Sequence, residues 1–88
     1  MVLRATGEVD ATNASEFVQS VRSLVGTRTA VLDLSELDYL GSAGYAALDE
    51  LIASCGVRIV LAERSHLRRA AKLMSLPFSD TVHAALNS

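Results

Sequence analysis

Val31-Leu32-Asp33-Leu34-Ser35-Glu36-Leu37-Asp38-Tyr39-Leu40-Gly41-Ser42-Ala43-Gly44-Tyr45-Ala46-Ala47-Leu48 is the segment that decides the fold. It passes from an apolar strand through an acidic loop into a helix opened by Ser42. Residues 29–34 are β-rich and apolar, the pattern of a strand covered on both faces. From Ser42 to Ser54 the pattern becomes helical: Ala47, Leu48, Leu51, Ile52 and Cys55 make one stripe, and Gly56 follows as a stop. The first turn of such a helix has unpartnered N–H groups and partial positive charge. A phosphate on Ser42 would sit where anions are favoured, and would add roughly −1.5 to −2 charges to the surface. Spacing alone leaves two roles open for Ser42. One is a helix cap that accepts an N–H two or three residues on; the other is a covalent switch on a binding surface. The two can coexist.

On either side of this segment, strand and helix patterns alternate. Residues 1–5 read as a short strand ending near Gly7. Asp10, Thr12 and Asn13 offer capping chemistry to a helix with Phe17, Val18, Val21, Leu24 and Val25 on its inner face, closed by Gly26. Residues 57–62 form another strand, and Leu67, Ala70, Ala71, Leu73 and Met74 a third helical stripe ended by Pro77. Val82, Ala85 and Leu86 mark a short terminal helix. The order β-α-β-α-β-α-(short β)-α predicts an α/β fold, a mostly parallel central sheet with helices mainly on one face. No linker or repeat divides the chain, so residues 1–88 are expected to form one domain.

Composition narrows the function. Half of the residues are hydrophobic and there is a single proline, which argues for a folded chain. Apolar runs are too short to cross a bilayer and no basic-then-apolar leader opens the chain. With Cys55 as the lone cysteine, a reducing cytoplasm is the expected location, and its apolar stripe makes it a buried structural thiol. Between Arg28 and Arg58 lie Asp33, Glu36, Asp38, Asp49 and Glu50 with no Lys or Arg, an acidic region around Ser42 that repels nucleic acid and suits a basic protein patch. Arg64, Arg68, Arg69 and Lys72 lack interleaved aromatics and read as a solvated helix face. Asp33 is placed to anchor a turn, and Tyr39 and Tyr45 to flank Ser42 as exposed anchors, with Tyr39 equally suited to half-buried core. No catalytic triad, zinc cluster or carboxylate pair is spaced for chemistry, so the reading is a binding module without metal or cofactor rather than an enzyme.

Two motifs carry a resemblance. Gly7-Glu8-Val9-Asp10-Ala11-Thr12, and Asp33-Leu34-Ser35 followed by Ser42-Ala43-Gly44, resemble the G-E-(L/V)-D and D-L-S…D-S-(S/T)-G elements of the STAS domain of bacterial anti-sigma factor antagonists. The likeness covers nearly the whole chain. It implies a partner-switching protein that binds an anti-sigma factor, usually a histidine-kinase-like ATPase acting as a serine kinase. Phosphorylation of the first serine ends binding and a phosphatase restores it. Ser42 matches that serine. Asp10 and the loop of Gly41, Ser42, Ala43 and Gly44 match the contact surface, and Asp38, Tyr39 and Tyr45 beside that loop are read from their position as further partner-binding candidates. Gly41 and Ala43 depart from the family's Asp and Ser/Thr, which favours a second implied role, a STAS subunit docked constitutively on the ATPase of an ABC transporter. Many members have a further strand before the G-E-(L/V)-D segment; its lack here would leave a sheet edge open to homodimerisation.

Overall fold

A helix between two strands returns the chain to the starting end of the sheet, so alternating elements close as parallel pairs. The computed structural model describes residues 1–87 and follows this rule. Strands β1 (Val2–Arg4), β3 (Val31–Asp33) and β5 (Arg58–Val60) form one parallel sheet in the order β1-β3-β5. Strands β2 (Gly7–Val9) and β4 (Leu37–Leu40) form a second parallel pair. Helices α1 (Ala14–Val25), α2 (Ser42–Cys55), α3 (Arg68–Leu73) and α4 (Val82–Leu86) complete the described elements.

Two strands, β2 and β4, lie where the sequence pattern suggests a strand end and an acidic loop. The reason is local. Leu37 and Leu40 are buried, but Asp38 and Tyr39 between them are exposed, so β4 shows neither a clean alternation nor an apolar run. A register irregularity between Gly7 and Glu8 interrupts the β2 side. The short strand expected before the last helix survives as a single parallel bridge between Val60 and Ser79.

Side chains alternate across the larger sheet. Leu3, Leu32 and Ile59 stand in register and face the main core, which α1, α2, Leu67 and Ala71 complete. On the opposite face Val31 and Val60 pack against Ala85 and Val82 of α4, and Arg58 Nη1 donates to the Ala85 carbonyl at 2.7 Å. Three helices therefore serve one core and α4 covers the back of β3 and β5. Leu34, Leu48, Leu51 and Leu61 are fully buried, and each Leu of this kind contributes on the order of 2–5 kcal/mol against truncation to Ala.

Three expected core positions face water instead: Leu24 is 56% exposed, Leu73 79% and Leu86 55%. Met74, at 50%, joins them. Leu73 stands two positions after the buried Ala71, on the opposite side of α3, and Met74 lies past the end of the helix. Helix α3 ends at Leu73 and Ser75 takes a left-handed φ of 57°, so Leu76 turns inward and fills the core two residues before Phe78. Pro77 follows the stop rather than making it. Helix α2 ends as its sequence suggests. Gly56 adopts φ 66° and its N–H bonds the Ile52 carbonyl, the left-handed closure that glycine accommodates without strain.

Candidate functional site

Parallel strands bring their carboxyl ends to one side, and the open end of a parallel sheet is where such folds place binding loops. Strands β2 and β4 deliver Asp10 and Ser42 to that side. Val9 and Leu40 are paired and buried, and the Gly41 N–H donates to the Val9 carbonyl at 2.9 Å, tying the two loops together.

The Asp10 loop is built from its own side chains. The Asp10 carboxylate accepts from the Thr12 N–H at 2.9 Å and from the Thr12 hydroxyl at 2.5 Å. Asn13 accepts from the Asp10 N–H at 2.9 Å and donates to the Glu8 carbonyl at 2.8 Å. Asn13 precedes α1 without capping it through its side chain; it points back at β2. The Thr12 hydroxyl, then the Thr12 N–H, hold the Asp10 carboxyl below its ordinary value of 3.8, so it stays ionised at neutral pH.

Ser42 is the first residue of α2 rather than its cap. Gly41 occupies the cap position with an extended backbone, and its carbonyl accepts the Tyr45 N–H at 3.0 Å. Among the described residues the Ser42 side chain makes no hydrogen bond, and it is exposed. No acidic residue stands in the first turn of α2. The helix start therefore offers a free hydroxyl in a field that favours anions.

Its neighbours divide into surface and core. Asp38 and Tyr39 are exposed, Tyr39 at 51%. The Tyr39 ring lies over Gly41, where a Cβ would come within 3.2 Å of the ring and of its hydroxyl. Ala43 is half-buried. Gly44 is buried against Leu40 and the Val9 carbonyl. Tyr45 is a correction to the expected exposed anchor. It is 4% exposed, its hydroxyl reaches the Leu67 carbonyl at 3.4 Å, and burial raises its phenol pKa. Helical spacing explains this, because Tyr45 shares the inner face with Leu48 and Leu51.

Two features beside the site have no signal in the local sequence. An open groove of about 220 Å³ runs between α1 and α2, lined by Ala14, Ser15, Val18, Ala43, Ala46, Ala47 and Glu50. His66, exposed in the loop after β5, reaches the Asp38 carbonyl at 2.7 Å. That pair is separated by 28 positions, and only the topology brings it together.

Elsewhere, Asp33 anchors a turn as expected, accepting from the Ser35 N–H at 3.0 Å. Ser35 in turn accepts from the Ala62 N–H at 2.9 Å, which explains the Asp33-Leu34-Ser35 motif structurally. Arg68 is not part of a solvated face. It is half-buried, pairs with Asp80 at 2.8 Å and stacks on Phe78, whereas Arg64, Arg69 and Lys72 are exposed. Cys55 is half-buried rather than fully enclosed. Among the described residues no group of three or more His, Cys, Asp or Glu side chains could hold a metal ion, and no helix is long and apolar enough to cross a membrane.

The chain is thus a small α/β domain of parallel strands, with the exposed Ser42 at the start of α2 and the hydrogen-bonded Asp10 turn on the same side. The STAS domain family model matches residues 1–85, and the chain belongs to that family. Among solved structures it is similar to an anti-sigma factor antagonist from Mycobacterium paratuberculosis, with 27% identity and a TM-score of 0.82 over 98% of this chain and 81% of that one.

Proposed function

We propose that this domain is an anti-sigma factor antagonist whose Ser42 surface binds an anti-sigma factor and is released when Ser42 is phosphorylated. The observation that carries the reading is the exposed, unpartnered Ser42 hydroxyl at the start of α2, beside the ionised Asp10 turn. The kinship with the mycobacterial antagonist supports the general role. The partner is a histidine-kinase-like ATPase that transfers the γ-phosphoryl group of ATP to the Ser42 oxygen, with loss of the hydroxyl proton and release of ADP; a phosphatase restores the hydroxyl by hydrolysing the phosphoserine with water, releasing inorganic phosphate.

The fold tolerates this modification because helix-terminal N–H groups welcome an anion. The partner does not: a surface docked against an uncharged hydroxyl meets roughly two negative charges. The switch therefore acts on the interface and leaves the domain folded. In this reading the protein is a cytoplasmic binding module, not an enzyme, and contacts its partner through Asp10, Asp38, Tyr39, Gly41, Ser42 and Ala43. Gly44 and Tyr45 support that surface from beneath.

Affinity capture from the source lysate, comparing wild type with Ser42→Glu, tests the reading. Wild type should retain a kinase-like ATPase that the variant loses. A second reading is favoured by Gly41, which carries no carboxylate and is covered by the uncharged Tyr39 ring: constitutive docking on the ATPase of an ABC transporter. Equal capture of a transporter ATPase by both proteins would select it. Homodimerisation is a further proposal, supported by β1, which pairs with β3 alone and leaves its other edge free among the described residues. A monomeric mass at high concentration would sink it.

A further inference from the structure

Two contacts fasten the loop after β5 to the segment that carries Ser42. His66 Nε2 lies 2.7 Å from the Asp38 carbonyl oxygen, and since a carbonyl only accepts, the ring N–H is the donor. The Tyr45 hydroxyl lies 3.4 Å from the Leu67 carbonyl oxygen. In sequence, these contacts fall on either side of Ser42. The loop is itself anchored: the Ala62 N–H donates to Ser35 Oγ at 2.9 Å, the Ser65 N–H to the Ala62 carbonyl at 2.9 Å and the Leu67 N–H to Ser65 Oγ at 3.2 Å. By contrast β4 pairs only with β2 among the described residues, so no third strand holds it on its other side.

We propose that His66 is the positioning residue of the Ser42 surface: it clamps β4 to the anchored loop of residues 62–67, so that Tyr39, Gly41 and Ser42 keep one presented geometry. The consequence for binding rests on the function proposed above; the clamp itself does not. Tyr45 holds the first turn of α2 to the same loop from inside the core. The surface and the loop after β5 therefore behave as one unit, and the exposed Arg64 of that loop is carried with it.

Amide hydrogen exchange on the isolated protein tests the clamp, using wild type, His66→Ala and His66→Gln. The Gly41 N–H reports on the site because its bond to the Val9 carbonyl joins β2 to β4. Removing one hydrogen bond of ordinary strength should speed Gly41 exchange about fivefold in His66→Ala. The Gln variant retains a donor and should restore protection, while Leu32 and Ile59 in the other sheet stay unchanged throughout. Equal Gly41 exchange in all three proteins would overturn the proposal. So would an equal rise at Leu32 and Ile59, which would make His66 a general stabiliser.

The same variants extend the capture experiment. A protein lost by Ser42→Glu should also be depleted with His66→Ala and return with His66→Gln. Undiminished capture by His66→Ala, with Ser42→Glu inactive, would overturn the proposed link to binding. If Ser42→Glu captures everything that wild type does, the switch reading falls, and the exchange data alone decide the clamp.

Discussion

A methyl group added at Gly44 would run into the Leu40 side chain and the Val9 carbonyl oxygen, the same oxygen that accepts the Gly41 N–H. The collision is partly with backbone, so Gly44→Ala should cost about 1–3 kcal/mol in urea unfolding; an unchanged midpoint would show that α2 can shift freely. Ser42 behaves differently because it is exposed and is not the cap. Ser42→Ala should change stability by less than about 0.5 kcal/mol, where loss of a true capping hydroxyl costs roughly 1 kcal/mol. Ser42→Glu places a carboxylate in a first turn that has none, and should raise stability by about 0.3–1 kcal/mol. A lower melting temperature for Ser42→Glu would contradict a switch that spares the fold. Asp10 supplies a pH test. Its folded pKa is lowered chiefly by the Thr12 hydroxyl, so its contribution to stability is present above the unfolded value and is lost as pH falls through the folded one. Thr12→Val should move the Asp10 titration, followed by NMR, back up toward 3.8 and shrink that acid-dependent component.

Among the elements, those with a long apolar stripe or run were legible in the sequence and those defined by pairing were not. Val18, Val21 and Val25 place α1, and Leu48 and Leu51 place α2, because burying such a stripe leaves one orientation. β4 hid because Asp38 and Tyr39 interrupt it, and only its pairing with β2 makes it a strand. The end of α3 was equally hidden, because no Gly or Pro marks the left-handed turn at Ser75 that precedes the buried Leu76. In the candidate site, the place of Ser42 at the start of α2 was legible from local chemistry and the candidacy of Asp10 came from its motif's resemblance, whereas the contacts of Tyr45 and His66 depend on Leu67 and Asp38, far along the chain. The difference has a measurable form. Leu73→Ala, on the exposed end of α3, should alter stability by no more than about 0.5 kcal/mol, whereas Leu48→Ala, with no exposure, should cost about 2–5 kcal/mol. Comparable losses would mean that Leu73 packs in solution.

At the scale of the whole molecule, the parallel topology sets where function can lie. It gathers the ends of β2 and β4 and the loop after β5 on one side, and leaves α4 to seal the back of the other sheet through Val31, Val60 and Arg58. Beside Ser42 the molecule presents an open groove between α1 and α2, lined in part by Ala43, Ala46 and Ala47. In the proposed switch, one phosphate on Ser42 would change both the shape and the charge that this surface presents. Gating of binding at Ser42 is the proposal on which the functional reading rests. Its most direct test is the affinity of the captured partner for this domain before phosphorylation, after stoichiometric phosphorylation at Ser42, and after phosphatase treatment. A loss of about 100-fold or more on phosphorylation, reversed by the phosphatase, is the predicted result; equal affinity for all three forms would contradict it.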